Sequence, residues 1–182
     1  MQIFTVLPQA EIDQIASLLR SGPAFQGMPH GVAVRIAALM SMIVFRPGEK
    51  LTEDESSNQG RLMLLVSGEA EISSRSSKDG SHLVHRVAQP GHIIGEVGFI
   101  DGQAHSATCE ALVKCHVAVL SRSDFIQMFE ADALSAAQLM AGLLRLLARR
   151  IRHANRYMVA QDQQVLQLQA EMLSLQKAKP LR

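Results

Sequence analysis

Seven histidines and two cysteines are the side chains with which this 182-residue chain could ligate a metal or build a nucleophile. The histidines are His30, His82, His85, His92, His105, His116 and His153, and no two form an HxH pair. His82 and His85 lie three apart and would point to opposite faces of a strand. A metal-dependent enzyme site, which needs several ligands converging from adjacent positions, is therefore not expected. Cys109 and Cys115 have no CxxC spacing, and residues 1–108 contain no cysteine that could start an iron–sulfur cluster. They read as core thiols of a reducing compartment. No GxSxG, no P-loop and no Cys–His pair with a third member is present, so an enzyme is not expected. What remains is one concentration of polar groups among glycines, GEVGFIDGQAHSAT at residues 95–108.

The elements that must position this segment fall into three zones. With 47% hydrophobic residues the chain can build one domain and an additional element. Trp is absent and nine methionines fill space that aromatics fill elsewhere. A net charge of +1 marks neither a polyanion binder nor an acidic tail. The N-terminus lacks a basic, then apolar, leader, and no run approaches ~20 apolar residues. A cytoplasmic protein with no membrane association is expected. From Pro8 to about Met42 the period is helical. Ile12, Ile15, Ala16 and Leu19 share one face, and Val34, Ala37, Ala38 and Leu39 another. The breakers in GPAFQGMPHG separate the two helices.

From Ile43 to Leu120, short apolar runs (LMLLV, AEI, LVHRVA, HIIGEVGFI, HVAVL) alternate with RPGE, SGE, KDGS, QPGH and DGQ. Strands this short, with Gly48, Gly68, Gly80, Gly91 and Gly102 between them, predict a sandwich or jelly roll. A helical zone then begins near Ser123, where SDFIQMFE carries a candidate N-cap. From Leu134 to Leu175 there is no proline and one glycine. Met140, Leu144, Leu147, Ile151, Ala154, Met158, Gln161, Val165, Leu168, Met172 and Leu175 follow a 4-3-4-3 spacing. That heptad seam predicts a two-stranded coiled coil and a homodimer, with polar Gln161 able to fix register. Leu139, Leu143 and Leu146 form a second stripe, predicted to pack on the chain's own sandwich.

Helices, a glycine-punctuated jelly roll, a short helix and a long dimer helix, in that order, resemble the cyclic-nucleotide-binding domain of the catabolite activator and related regulator family. The resemblance covers roughly residues 24–160 and rests on FRPGEKL (45–51), LMLLVSGEAEI (62–72), QPGHIIGEVGFIDGQAHSAT (89–108) and VAVLSRSDFIQMF (117–129). It implies an α+β fold: a β jelly roll (double-stranded β-helix) with N-terminal helices and a long C-terminal coiled-coil helix. The implied boundaries are an N-terminal helical extension at 1–23, a cyclic-nucleotide-binding-like domain at 24–130 and a dimerisation helix at 131–178. Departures are Ser56 where a turn glycine is usual, Met63 where an aromatic is common, and His105 where the family has arginine.

Carried over residue by residue, the resemblance makes Glu96 the acceptor for a ribose 2′-hydroxyl and Gly95 the point of close approach to the sugar. Ser106 and Ala107 would offer a hydroxyl and backbone N–H to the cyclic phosphate, as anion nests do. An arginine at 105 would hold that phosphate with a permanent bidentate fork, whereas a histidine has a reference pKa of ~6.5. Losing one partner of such a pair typically costs ~2–5 kcal/mol. Weak, altered or lost cAMP binding is therefore expected. On the long helix, where the activator's polar side chains reach the purine from both subunits, this chain has Ala154 and Asn155, and of those two side chains only Asn155 can hydrogen-bond.

Two function classes follow. One is a homodimeric sensor with a possible cyclic nucleotide ligand (cAMP, cGMP or a cyclic dinucleotide). The other is a ligand-independent adaptor that kept the fold, and either would act through a protein partner. After Leu175 only QKAKPLR remains, so no helix-turn-helix and no sequence-specific DNA binding is expected. Arg145, Arg149, Arg150, Arg152 and Arg156 read as a solvated coiled-coil flank.

Overall fold

Pro8 and Pro29 open the first two helices, each at a position where a missing N–H costs nothing. A computed structural model describes residues 7–53, 60–75 and 82–178; Ser56 and Gly80 lie outside them. Helix α1 (Gln9–Ser21) buries Ile12, Ile15, Ala16 and Leu19, the stripe its period predicts. Helix α2 (His30–Ala38) buries Val32, Ala33, Ile36 and Ala37, so that of the expected Val34, Ala37, Ala38 and Leu39 only Ala37 is buried. Leu39 is 40% exposed. With alanines and valines on both sides of a nine-residue helix, side-chain size does not distinguish the two faces. Arg20 Nε donates to the Met28 carbonyl at 2.9 Å and fastens the α1–α2 connection.

Eight strands follow: β1 (Ser41–Phe45), β2 (Lys50–Thr52), β3 (Arg61–Ser67), β4 (Ala70–Arg75), β5 (His82–Ala88), β6 (Ile93–Ile94), β7 (Thr108–Ala111) and β8 (Cys115–Ser121). They form two four-stranded sheets, ordered β1-β8-β3-β6 and β2-β7-β4-β5, with antiparallel pairing throughout. Met63, Leu65, Val117 and Val119 of the first sheet share a core with Leu51, Ala70, Ala88, Cys109 and Ala111 of the second. Leu62 and Leu64 are just as buried but alternate to the opposite face of β3, against which α1 packs. That is why RLMLLVS reads as a continuous apolar run: a strand covered on both faces has no polar side to show. Gly48, Gly68, Gly91 and Gly102 all take positive φ, as their turn positions require. Both cysteines are free and buried. Burial pushes the Cys109 thiol up to about 12, and the Cys115 thiol, which donates to the Glu69 carbonyl at 3.2 Å, is also raised by burial.

The run HIIGEVGFI divides at its glycine into β6 and helix α3 (Glu96–Asp101). Helix α4 (Arg122–Ala131) is capped by Ser121, whose Oγ accepts from the Asp124 N–H at 3.1 Å. The expected cap, Ser123, lies inside the first turn, because β8 stays extended through Ser121. Helix α5 (Ala133–Ala178) spans 46 residues. Asp132 starts it by accepting from the Ser135 N–H at 3.1 Å, and Arg35 of α2 holds the same carboxylate at 2.7 Å. Those hydrogen bonds, Ser135 first, hold the Asp132 carboxyl below its ordinary range.

Two compact units result, Met1–Leu143 and Leu144–Arg182. In the first, Leu139 and Leu143 of the second α5 stripe are fully buried, whereas Leu146, in the second unit, is half-buried. Gly142 makes that burial possible, since a Cβ there would lie 2.2 Å from the buried Phe25 ring. In the second unit every described side chain from 151 to 169 is exposed.

Candidate functional site

Gly95 adopts φ +80 between β6 and α3, and a Cβ there would meet the Arg61 carbonyl at 2.8 Å. Only glycine satisfies both the conformation and the contact, so the start of the cassette is pressed onto β3. The next residue, Glu96, is 2% exposed, a degree of burial that a carboxylate tolerates only with hydrogen-bond partners. Phe99 anchors α3 by an edge-on contact with Phe125 of α4, with ring centroids 5.5 Å apart.

The other end of the cassette is held by two hydroxyls of the second sheet. Thr52 Oγ1 donates to the Ala107 carbonyl at 3.0 Å, and Ser74 Oγ donates to the Ser106 carbonyl at 3.3 Å. Neither clamp was legible in the sequence, because both pairings join residues more than thirty positions apart.

His105 is half-buried and lines a cavity of about 300 Å³ between the sheets. The first sheet contributes Ile43, Phe45, Arg61, Met63 and Val119, and the second contributes Lys50, Leu51 and Thr52. Lys50 Nζ meets the Glu53 carboxylate at 2.5 Å on the rim. The volume is at the low end for a small-molecule site. Gly95 touches Arg61 and Met63, and both residues line the cavity with His105, so β3 brings the two ends of the cassette together. Burial lowers the His105 pKa below its ordinary value of 6.5 and favours the neutral ring. Asn155 sits on the exposed stretch of α5 in the second unit, as do Ile151, Ala154, Met158, Gln161, Val165, Leu168 and Met172. Leu144 is exposed and Leu147 half-buried; the Leu175 side chain lies outside the description.

Among the described residues no cluster of three or more His, Cys, Asp or Glu side chains could hold a metal. No described helix is long and apolar enough to cross a membrane.

The arrangement is that of a sandwich whose β6–α3–β7 connection folds back over its own mouth. The cyclic nucleotide-binding domain model matches residues 42–132, half of the chain, and the protein belongs to that family. Its fold is similar to a cyclic nucleotide-binding domain from Methylobacillus flagellatus KT, at 22% identity and TM-score 0.75, covering 84% of this chain and 85% of that one. It is also similar to the Thermus thermophilus catabolite activator protein, at 23% identity and TM-score 0.66, covering 78% of this chain and 63% of that one. The N-terminal domain of a Streptomyces coelicolor A3(2) transcriptional regulator is 27% identical with TM-score 0.63, covering 76% of this chain and 95% of that domain. No curated protein sequence matches.

Proposed function

We propose that the protein is a homodimeric, non-enzymatic regulatory sensor whose cassette accepts a cyclic nucleotide but binds cAMP weakly at neutral pH. The observation that carries this reading is the intact architecture of the cassette around an uncharged His105. Gly95 is pressed on β3, Glu96 is buried, and the Ser106 and Ala107 carbonyls are clamped, while burial disfavours the imidazolium. A neutral imidazole donates one hydrogen bond where an arginine would supply a fork and a fixed charge. In this reading residues 24–130 receive the ligand, Glu96 takes the ribose hydroxyl, and Asn155 serves the base. Residues 131–178 form the dimer helix, which signals to a protein partner in the cytoplasm without reading DNA sequence. Two structures of similar fold support a cyclic nucleotide as the ligand class: PfPKA-R and the regulatory domain of Toxoplasma gondii PKA, each with bound cAMP, at 21% and 19% identity.

Calorimetric titration of the wild type with cAMP, cGMP and cyclic dinucleotides, beside the His105→Arg variant, is the test. The variant should bind cAMP at least tenfold more tightly, and Glu96→Ala should erase that gain. Tight wild-type cAMP binding at pH 8 would refute the weakened cassette. Absence of any binding in both proteins would favour the adaptor that kept only the fold.

A further inference from the structure

Val87 of β5 is 41% exposed on the outer face of its sheet, while its neighbour Ala88 is fully buried in the sandwich core. Pairing between β4 and β5 puts Ala70 opposite Ala88, Glu71 opposite Val87 and Ile72 opposite Arg86, the last pair before a bulge between Ile72 and Ser73. Strand alternation therefore puts Arg86 on the same inner face as Ala88 and Ile72. The row continues across the sheet, since Ile72 also pairs with Cys109 of β7. Arg86 is nonetheless exposed, so the inner face is open to solvent at this end of the sandwich. An arginine pointing into the concave face of a sheet, where its neighbours are Ala, Ile and Cys, has no packing role that a shorter apolar residue would not fill.

Cys109 lies two strands from Arg86, about 10 Å at ~4.8 Å per strand. Its thiol still feels the Arg86 charge, which acts against the burial that raises it. The row Arg86–Ile72–Cys109 runs across the sheet to β7, the strand into which His105, Ser106 and Ala107 lead. The Ser74 hydroxyl ties the Ser106 carbonyl to β4, the strand in between. Among the described residues no hydrogen bond or ion pair engages the Arg86 guanidinium.

We propose that Arg86 supplies the fixed cation for the ligand's phosphate, so that the anion is held chiefly from the inner face of β4 and β5, with the His105 ring at its edge. This rests on the reading of the cassette as a nucleotide site and names the residue that decides its affinity and geometry. The chemistry is that of a guanidinium fork on a phosphate diester. 3′,5′-cyclic nucleotides share one fused phosphate–ribose ring, so a cation at Arg86 sets affinity for the class and leaves the choice of base to other contacts.

The test compares wild type, Arg86→Gln, Arg86→Lys, His105→Arg and the Arg86→Gln/His105→Arg double variant, each titrated with cAMP and cGMP at fixed salt. Lys114→Gln, which removes the same charge at the exposed β7–β8 turn, is the control for bulk electrostatics. Arg86→Gln should lose at least tenfold for whichever nucleotide wild type binds better, Arg86→Lys should lose less, and Lys114→Gln should lose under twofold. The double variant should regain cAMP binding, because a fork at 105 makes Arg86 dispensable. Thermal melts of each variant establish that it is folded. Equal affinities of wild type and Arg86→Gln, including no measurable binding by either, overturn the role of Arg86. So does an equal loss in Lys114→Gln. If binding by His105→Arg survives in those cases, the nucleotide-site reading stands without Arg86; if it too is absent, both fail.

Discussion

At the scale of single residues, the proposed cassette would depend on the protonation of His105. Burial lowers its folded pKa, so in the ligand-free protein the neutral ring is the stable form. The stability contributed by keeping it neutral is fully present above the unfolded value of ~6.5 and is lost as pH falls through the lower folded value. Ligand binding has the opposite sign, because a phosphate beside the ring favours the imidazolium and draws a proton in. Nucleotide affinity of the wild type should therefore rise as pH drops below 6.5, with proton uptake, while His105→Arg should show a flat profile. Calorimetry in two buffers of different ionisation heat measures that uptake directly, and a flat wild-type profile would place His105 outside the anion's reach. Much of the cassette was legible in the sequence because its residues are contiguous in two short stretches. The Thr52 and Ser74 clamps, the Arg61 contact and Arg86 were not, since strand register alone brings them to the site.

Elements differ in how openly the sequence declares them. Helix α1 shows its buried stripe because Ile12, Ile15 and Leu19 are large residues against a polar background. Helix α2 does not, because small apolar residues line both of its sides. The start of α4 was misplaced from Ser121 to Ser123 because three capping residues, Ser121, Ser123 and Asp124, crowd one turn and all three hydrogen-bond there. On α5 a single glycine, Gly142, stands in a long run of helix formers. It is the site where the helix closes on Phe25. Gly142→Val should gain a few tenths of a kcal/mol in helix propensity and lose about 1–3 kcal/mol to overpacking. The expected net result is a lower denaturation midpoint at unchanged m-value. An equal or higher midpoint would show that the Phe25 ring yields without cost.

For the whole molecule, the proposed dimer rests on the exposed part of α5. Leu144, Ile151, Met158, Val165, Leu168 and Met172 are between 49% and 61% exposed in the single chain, at heptad spacing. The seam from Met140 to Leu175 would measure about 54 Å as a helix. A helix that long draws its stability chiefly from packing one apolar face. In the proposed dimer a second copy of the chain would supply the matching face by symmetry, and Gln161 would meet its own counterpart across the axis and set the register. Burying each large seam residue is worth about 1.5–3 kcal/mol, and an aspartate in its place would put a charge beside its own copy. Ile151→Asp with Val165→Asp should therefore convert a dimer into a single chain of 19.9 kDa by light scattering. Circular dichroism should lose helix at the same time, because the freed end of α5 unwinds. Gln161→Leu should strengthen association instead, and let it populate more than one register. A wild-type mass of 19.9 kDa, or a double variant with the mass of two chains, would remove the coiled coil from this account.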